Sequence, residues 1–294
     1  MSPLIRLMRP HQWLKNGFVF VGLLFGHAWR DPDRVALALS AFIAFCLLSS
    51  AVYVVNDLVD REQDRLHPEK RHRPLASGAV GVPAALALAA FCLMGGLGLA
   101  FGSFGHLGLP ASQVPWIFLA YLLLNVGYSA GLKHVVVLDV FIIAAGFLLR
   151  LLAGTLGIGI QPSHWLLLCG LMLTLFLGFA KRRAELDALL AESGSHRRVL
   201  DDYTVPMLDQ FITLAGGATV LAYSLYTVSE ETIAMHGTRW LIATVPCVAY
   251  GLLRYLYRLH RAGGGGDPAR ELLADPHLLG VFALWLGLVL WLLA

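Results

Sequence analysis

Asn56, Asp57, Asp60 and Asp64 stand in one short run, Asn56-Asp57-Leu58-Val59-Asp60-Arg61-Glu62-Gln63-Asp64. A spacing of four stacks Asn56, Asp60 and Asp64 on a single helix face, with Asp57 flanking it three residues before Asp60. Like charges one turn apart repel, by roughly a few tenths of a kcal/mol on an exposed helix. A hard divalent cation removes that penalty. Mg²⁺ takes oxygen ligands, keeps part of its water and is completed by substrate phosphates. Asn56, Asp57, Asp60 and Asp64 are therefore the candidate Mg²⁺ ligands, with Asp57, Asp60 and Asp64 the candidate catalytic carboxylates. The plain alternative is a solvated helix end. Against it, Tyr53 and Asn56 belong to an apolar span that fixes the row at membrane depth.

The next segment is His67-Pro68-Glu69-Lys70-Arg71-His72-Arg73-Pro74-Leu75-Ala76-Ser77-Gly78. Lys70, Arg71 and Arg73 beside a carboxylate row make a divided site. A metal takes one side of a polyanion while ammonium and guanidinium groups take its other oxygens. Pro68, Pro74 and Gly78 predict a shaped loop rather than a helix. Taken alone, such a loop also suits lipid head groups.

The elements that position these groups are membrane helices. The chain of 294 residues is 57% hydrophobic and only 14% charged, with a mean hydropathy of +0.69. Soluble chains carry about 25% charged residues. Hydropathy and polar breaks predict about nine spans, near 14–29, 35–56, 80–101, 114–132, 136–157, 164–180, 208–228, 239–258 and 278–293. With the N-terminus in the cytoplasm, all but four of the 22 Lys and Arg residues fall on the inside segments. The exceptions are Arg30, Arg34 and Arg239 outside and Arg150 within a span. The positive-inside rule therefore predicts an inner-membrane protein with its N-terminus and its long loops, 57–79 and 181–207, in the cytoplasm. No cleavable leader is evident in the first residues. Cys46, Cys92, Cys169 and Cys247 are single and far apart, which suits core packing better than metal or disulfide chemistry. The net charge of +3 is modest and speaks for no nucleic-acid partner.

Several single residues bear on the same chemistry. Tyr128 and Lys133 flank the short loop after the fourth span and are candidate phosphate or ribose contacts; the alternative is an interfacial tyrosine and an inside lysine. Asp139 lies about one turn into the fifth span, where a charge is either functional or paired. Its structural alternative is a partnership with Lys133 or a neighbouring helix. Arg150, eleven residues on, shares nearly the same face but lies roughly 16 Å further along, so these two cannot pair. A structural polar partner is the better expectation for Arg150. Glu185 is placed to orient Lys181, four residues earlier.

An NDxxDxxxD row at the end of the second span, followed by a KRxRPxxxG loop, resembles the UbiA superfamily of intramembrane prenyltransferases. Arg9-Pro10-His11-Gln12-Trp13-Leu14-Lys15-Asn16 also resembles that superfamily's lead-in to its first helix. The likeness covers nearly the whole chain. It implies an all-α bundle of nine helices around a central cavity, one domain over 1–294, with Mg²⁺-bound diphosphate at the cytoplasmic mouth. Typical members carry a second DxxxD row after the sixth helix; this chain has Lys181-Arg182-Arg183-Ala184-Glu185-Leu186-Asp187 there. The spacing of Tyr128 and Lys133 is also one residue longer than the superfamily's YxxxK.

Replacement of acids by cations is similar to the branch of decaprenyl-phosphate 5-phosphoribosyltransferases. That likeness implies phosphoribosyl diphosphate and a polyprenyl phosphate as substrates. It also implies that Lys181 and Arg182 hold the 5-phosphate and Lys15 the lipid phosphate, with the lipid tail among apolar helices. Two other classes stay open. One is an ordinary prenyltransferase, which moves an isoprenoid from its diphosphate to an aromatic or lipid acceptor. The other is a lipid transporter, although transporters place ionisable groups near mid-membrane, whereas these crowd one mouth.

Overall fold

The computed structural model describes residues 2–68, 70–108, 110–191, 198–261 and 268–293. Glu69, Arg197 and the Gly263 to Gly266 connector lie outside them. All regular structure among the described residues is helical. Two compact units form: Met1–Gly131 with Leu149–Gln161, and Leu132–Leu148 with Pro162–Ala294.

The first unit begins with α1 (Pro3–Met8), capped by the Ser2 side chain. A 3₁₀ run, Pro10–Phe20, then leads into α2 (Val21–Phe25). The long helix α3 (Pro32–Val59) starts where the Asp31 carboxylate accepts the Asp33 and Arg34 amides, with Pro32 setting the first turn. Such a cap contributes about 1 kcal/mol. The helix breaks at Asp60 and resumes as α4 (Arg61–Leu66). α5 (Val82–Phe104) packs along α3, followed by α6 (Val114–Ala130). Small residues allow the close α3–α5 approach: Ala44 and Leu48 lie against Gly96, where an added Cβ would stand 2.7 Å from the Leu48 side chain.

α7 (Leu138–Leu156) contributes its later turns to this unit. Ala153 and Leu156 join Val19, Phe45, Phe104, Phe118 and Tyr121 in its core. A Cβ at Gly154 would collide with the Val19 carbonyl, so glycine is required for that backbone crossing. Arg150 is buried here. Its Nε donates to Asn16 Oδ1 at 2.7 Å, another nitrogen donates to the Tyr121 hydroxyl at 3.1 Å, and its guanidinium lies over the Phe45 and Tyr121 rings. The structural expectation for Arg150 holds, with neutral oxygens and aromatic faces in place of an acid.

In the second unit, α8 (His164–Ala191) packs along α9 (Val205–Val228). Phe176, Phe179, Ala180, Leu208, Ile212 and Tyr255 make up the centre of the core. α10 (Glu230–His236), α11 (Val245–Arg261), α12 (Pro268–Ala274) and α13 (Pro276–Leu292) complete it. Asp275 caps α13 through the Leu278 amide and receives Arg254 and Arg258.

Among the described residues, six helical segments are long and apolar enough to cross a bilayer: α3, α5, α7, His164–Leu189, α9 and Trp240–Arg261. The expected spans near 114–132 and 278–293 are helices of 17 residues each. The expected first span is instead the 3₁₀ run and α2. One boundary changes the reading of the chemistry. The cytoplasmic loop expected from 181 onward is helix as far as Ala191, because i, i+3 and i, i+4 ion pairs carry α8 beyond its apolar stretch.

Candidate functional site

In the first unit the acidic run does not present the row that a spacing of four suggests. The carboxylates brought together by Arg73 are Asp57 and Asp64, seven residues and so about two helical turns apart, on either side of the turn at Asp60. Both are buried, at 3% and 4% exposure. Arg73 joins them: its Nη1 lies 3.2 Å from Asp57 Oδ1 and 2.7 Å from Asp64 Oδ2. A second guanidinium reaches the same Asp57 oxygen, Arg9 Nη2 at 2.6 Å. Arg9 lies over the Tyr53 ring, 5.1 Å from its centroid. Asn56 Oδ1 accepts from the Ser129 hydroxyl at 3.0 Å, which ties the end of α6, where half-buried Tyr128 also stands, to the end of α3. Asp60 is half-buried and makes no ion pair among the described residues.

Beside this cluster is an open cavity lined by Arg6, Arg9, His11, Asp57, His72 and Arg73. Lys70 and Arg71 stand exposed on the 3₁₀ turn Lys70–His72 and do not reach the carboxylates. Pro74, Leu75 and Ala76 are buried, and the Arg65 side chain donates to the Ala76 carbonyl, so the loop is shaped as expected. Lys15 is half-buried on the 3₁₀ run.

The residues present fit a divalent cation. Two buried carboxylates already lie within reach of one positive atom, Arg73 Nη1. Among the described residues no third His, Cys, Asp or Glu joins them. The remaining ligands would be water and substrate phosphate, the usual arrangement for Mg²⁺.

The second unit holds a different constellation. Asp139 is wholly buried and accepts from Arg182 Nε at 2.8 Å and from the Tyr203 hydroxyl at 2.8 Å. Arg182, 1% exposed, also pairs with Glu185. The Tyr203 hydroxyl in turn accepts the Val137 amide at 2.6 Å, and burial pushes its pKa up, so it remains a donor to Asp139. Val137 has φ +68°, a conformation that β-branched residues rarely adopt. The Tyr203 bond lies at that strained point, four residues after half-buried Lys133.

Two expectations change accordingly. Asp139 is a structural partner, of Arg182 rather than Lys133, and not a substrate contact. Arg182 is committed to two carboxylates inside the protein, which removes it from the 5-phosphate. Lys181, half-exposed, lies 3.9 Å from Glu185, the orienting contact its spacing predicts. Arg9, Ser129 and Tyr203 went unrecognised as site-shaping residues in the sequence. Arg9 carried a signal, the Arg-Pro pair opening the 9–16 motif. Ser129 and Tyr203 carried none, because their partners are 73 and 64 residues away.

Comparison with known proteins fits this geometry. The UbiA prenyltransferase family matches residues 17–273. The chain is 32% identical to the decaprenyl-phosphate phosphoribosyltransferase of Mycolicibacterium smegmatis, covering 98% of this chain and 91% of that one. Identity to the enzyme of the same name from Corynebacterium glutamicum is also 32%, over 96% of this chain and 84% of that one. In fold it is similar to a UbiA homologue from Archaeoglobus fulgidus solved with GPP and Mg²⁺, with a TM-score of 0.69, 17% identity and 99% of each chain covered. The chain belongs to the UbiA prenyltransferase family.

Proposed function

We propose that the chain transfers the 5-phosphoribosyl group of phosphoribosyl diphosphate to a polyprenyl phosphate of the decaprenyl kind, releasing diphosphate. The reaction takes place at the cytoplasmic face of the inner membrane. The observation that carries this reading is the near full-length likeness to decaprenyl-phosphate phosphoribosyltransferases. The buried pair Asp57 and Asp64, set against Arg9 and Arg73 beside a basic cavity, supports it.

Asp57 and Asp64 would hold Mg²⁺, with Asn56 and Asp60 the further candidate ligands from the same run. Bound there, the ion supplies stabilisation of the charge gathering on departing diphosphate. Arg73 lies where it can take a phosphate oxygen once a metal holds the carboxylates, and exposed Lys70 and Arg71 meet the outer oxygens. Tyr128 and Lys133 are assigned to the donor, Lys181 to its 5-phosphate and Lys15 to the lipid phosphate. The nucleophile is a phosphate oxygen, already ionised at neutral pH, so no strong base is needed. The protein aligns two anions, neutralises them and excludes water.

The test offers the purified protein radiolabelled phosphoribosyl diphosphate with decaprenyl phosphate, and separately geranyl diphosphate with an aromatic acid. Label appearing in the lipid, with diphosphate released, is expected in the first mixture. Turnover confined to the second would overturn the reading in favour of prenyl transfer.

A further inference from the structure

Arg9 has a place that its neighbours do not explain as packing. Its backbone is left-handed, with φ +53°, at the junction between α1 and the 3₁₀ run. The N-terminal segment is docked without its side chain. The Met8 carbonyl accepts from the Ser50 hydroxyl at 3.0 Å, Trp13 Nε1 donates to the same hydroxyl at 3.1 Å, and Leu7 is buried with Val54 and Leu75. The guanidinium instead reaches across to Asp57 while remaining on the wall of the basic cavity. Only one of its nitrogens is used; the other two have no hydrogen-bond partner among the described residues. The group lies over the Tyr53 ring. A planar fork with unused donors, held at the edge of a cationic hollow, suits bidentate recognition of a phosphate.

The charge inventory indicates when that recognition occurs. Arg9 and Arg73 together balance Asp57 and Asp64 when no divalent ion is present. A divalent cation arriving at the carboxylates leaves both guanidiniums in surplus beside it, and a polyphosphate is the ligand that neutralises the surplus.

We propose that Arg9 is a further diphosphate-binding residue that exchanges partners. It neutralises Asp57 in the empty site and transfers to the donor's phosphate oxygens when the metal takes the carboxylates. This rests on the phosphoribosyl-diphosphate reading for the identity of the donor, but not for the exchange itself. Because Arg9 competes with the metal for Asp57, it weakens metal binding alone and strengthens binding of metal and diphosphate together. A merely structural arginine would do the first but not the second.

The experiment uses the full chain in nanodiscs, as wild type, Arg9→Gln and Arg9→Lys, with melting temperatures to confirm folding. Mn²⁺ affinity without substrate is read by electron paramagnetic resonance. Affinity for inorganic diphosphate and for phosphoribosyl diphosphate is read in saturating Mg²⁺. Arg9→Gln is expected to bind Mn²⁺ severalfold more tightly, yet both diphosphates about tenfold or more weakly, the loss of one charge-assisted contact. Arg9→Lys should recover part of the diphosphate binding. Mn²⁺ affinity that is unchanged or weaker in Arg9→Gln overturns the exchange, and unchanged diphosphate affinity overturns the binding role. If wild type binds inorganic diphosphate but not phosphoribosyl diphosphate, the donor assignment fails, while the opposed shifts in Arg9→Gln still decide the role of Arg9.

Discussion

Removing the Asp139 carboxylate while keeping Arg182 would strand a guanidinium that is 1% exposed. Breaking one side of a buried ion pair costs roughly 3–5 kcal/mol, because the other charge stays buried and uncompensated. Glu185 remains as a second partner for Arg182, so Asp139→Ala should fall near the lower end, about 3 kcal/mol. At roughly 2 °C per kcal/mol for a chain of this size, that is a fall of about 6 °C in detergent. Arg182→Met should cost a similar amount, since it leaves Asp139 with Tyr203 alone. The double variant Asp139→Leu with Arg182→Met removes both charges and should recover most of the loss. A thermal-melt double-mutant cycle in detergent measures the coupling, and the KM for phosphoribosyl diphosphate is followed in parallel. Additive losses would refute the pairing. An Arg182→Met protein that melts like wild type but has a sharply raised KM would return Arg182 to the substrate.

Two further perturbations bear on the acidic clusters. Asp64→Asn should abolish turnover while shifting the melting temperature only slightly, because Arg73 keeps Asp57 as a partner; an active Asp64→Asn protein would count heavily against the metal assignment. The Arg254 hydrogen bond, helped by the Leu278 amide and Arg258, lowers Asp275 to about 2 from an ordinary 3.8. A depressed folded pKa stabilises above the unfolded value and is lost as pH falls through that window. Wild-type melting temperature should therefore drop between about pH 4 and pH 2, and Asp275→Asn, which keeps the cap, should lose much of that dependence.

Fold class was legible because it rests on local patterns. Apolar runs mark the helices long enough to span a bilayer, and an Asp-rich run followed by a basic loop marks the family. The identity of the converging pair was not legible, since one helix face offers Asn56, Asp60 and Asp64 with Asp57 at its flank, and spacing alone does not choose among them. Asp57 and Asp64 are seven residues apart, about two full turns, and they are the pair because Arg73, 16 and 9 residues on, reaches both. Arg182 was misassigned for a related reason. A cation where relatives of another branch carry acids reads as a substrate ligand, until the fold shows Asp139 43 residues upstream in its hand. Long-range ion pairing is the information a single sequence hides best.

The same accounting separates two meanings of metal dependence. Asp57 and Asp64 each have a guanidinium partner, so the fold does not need a divalent ion to neutralise them. Chelation by EDTA should stop turnover and leave the melting temperature where it was. Arg73→Ala changes that relation, because it removes Asp64's partner and one of the two on Asp57. Two buried carboxylates then repel in a medium that screens them poorly, and a divalent cation becomes the natural neutraliser. The variant should be destabilised in EDTA and regain several degrees in Mg²⁺, a dependence absent from wild type. Melting curves of both proteins across a Mg²⁺ titration would expose this. A wild type that itself loses stability in EDTA, or an Arg73→Ala protein indifferent to Mg²⁺, would mean that the two carboxylates do not share a cation position.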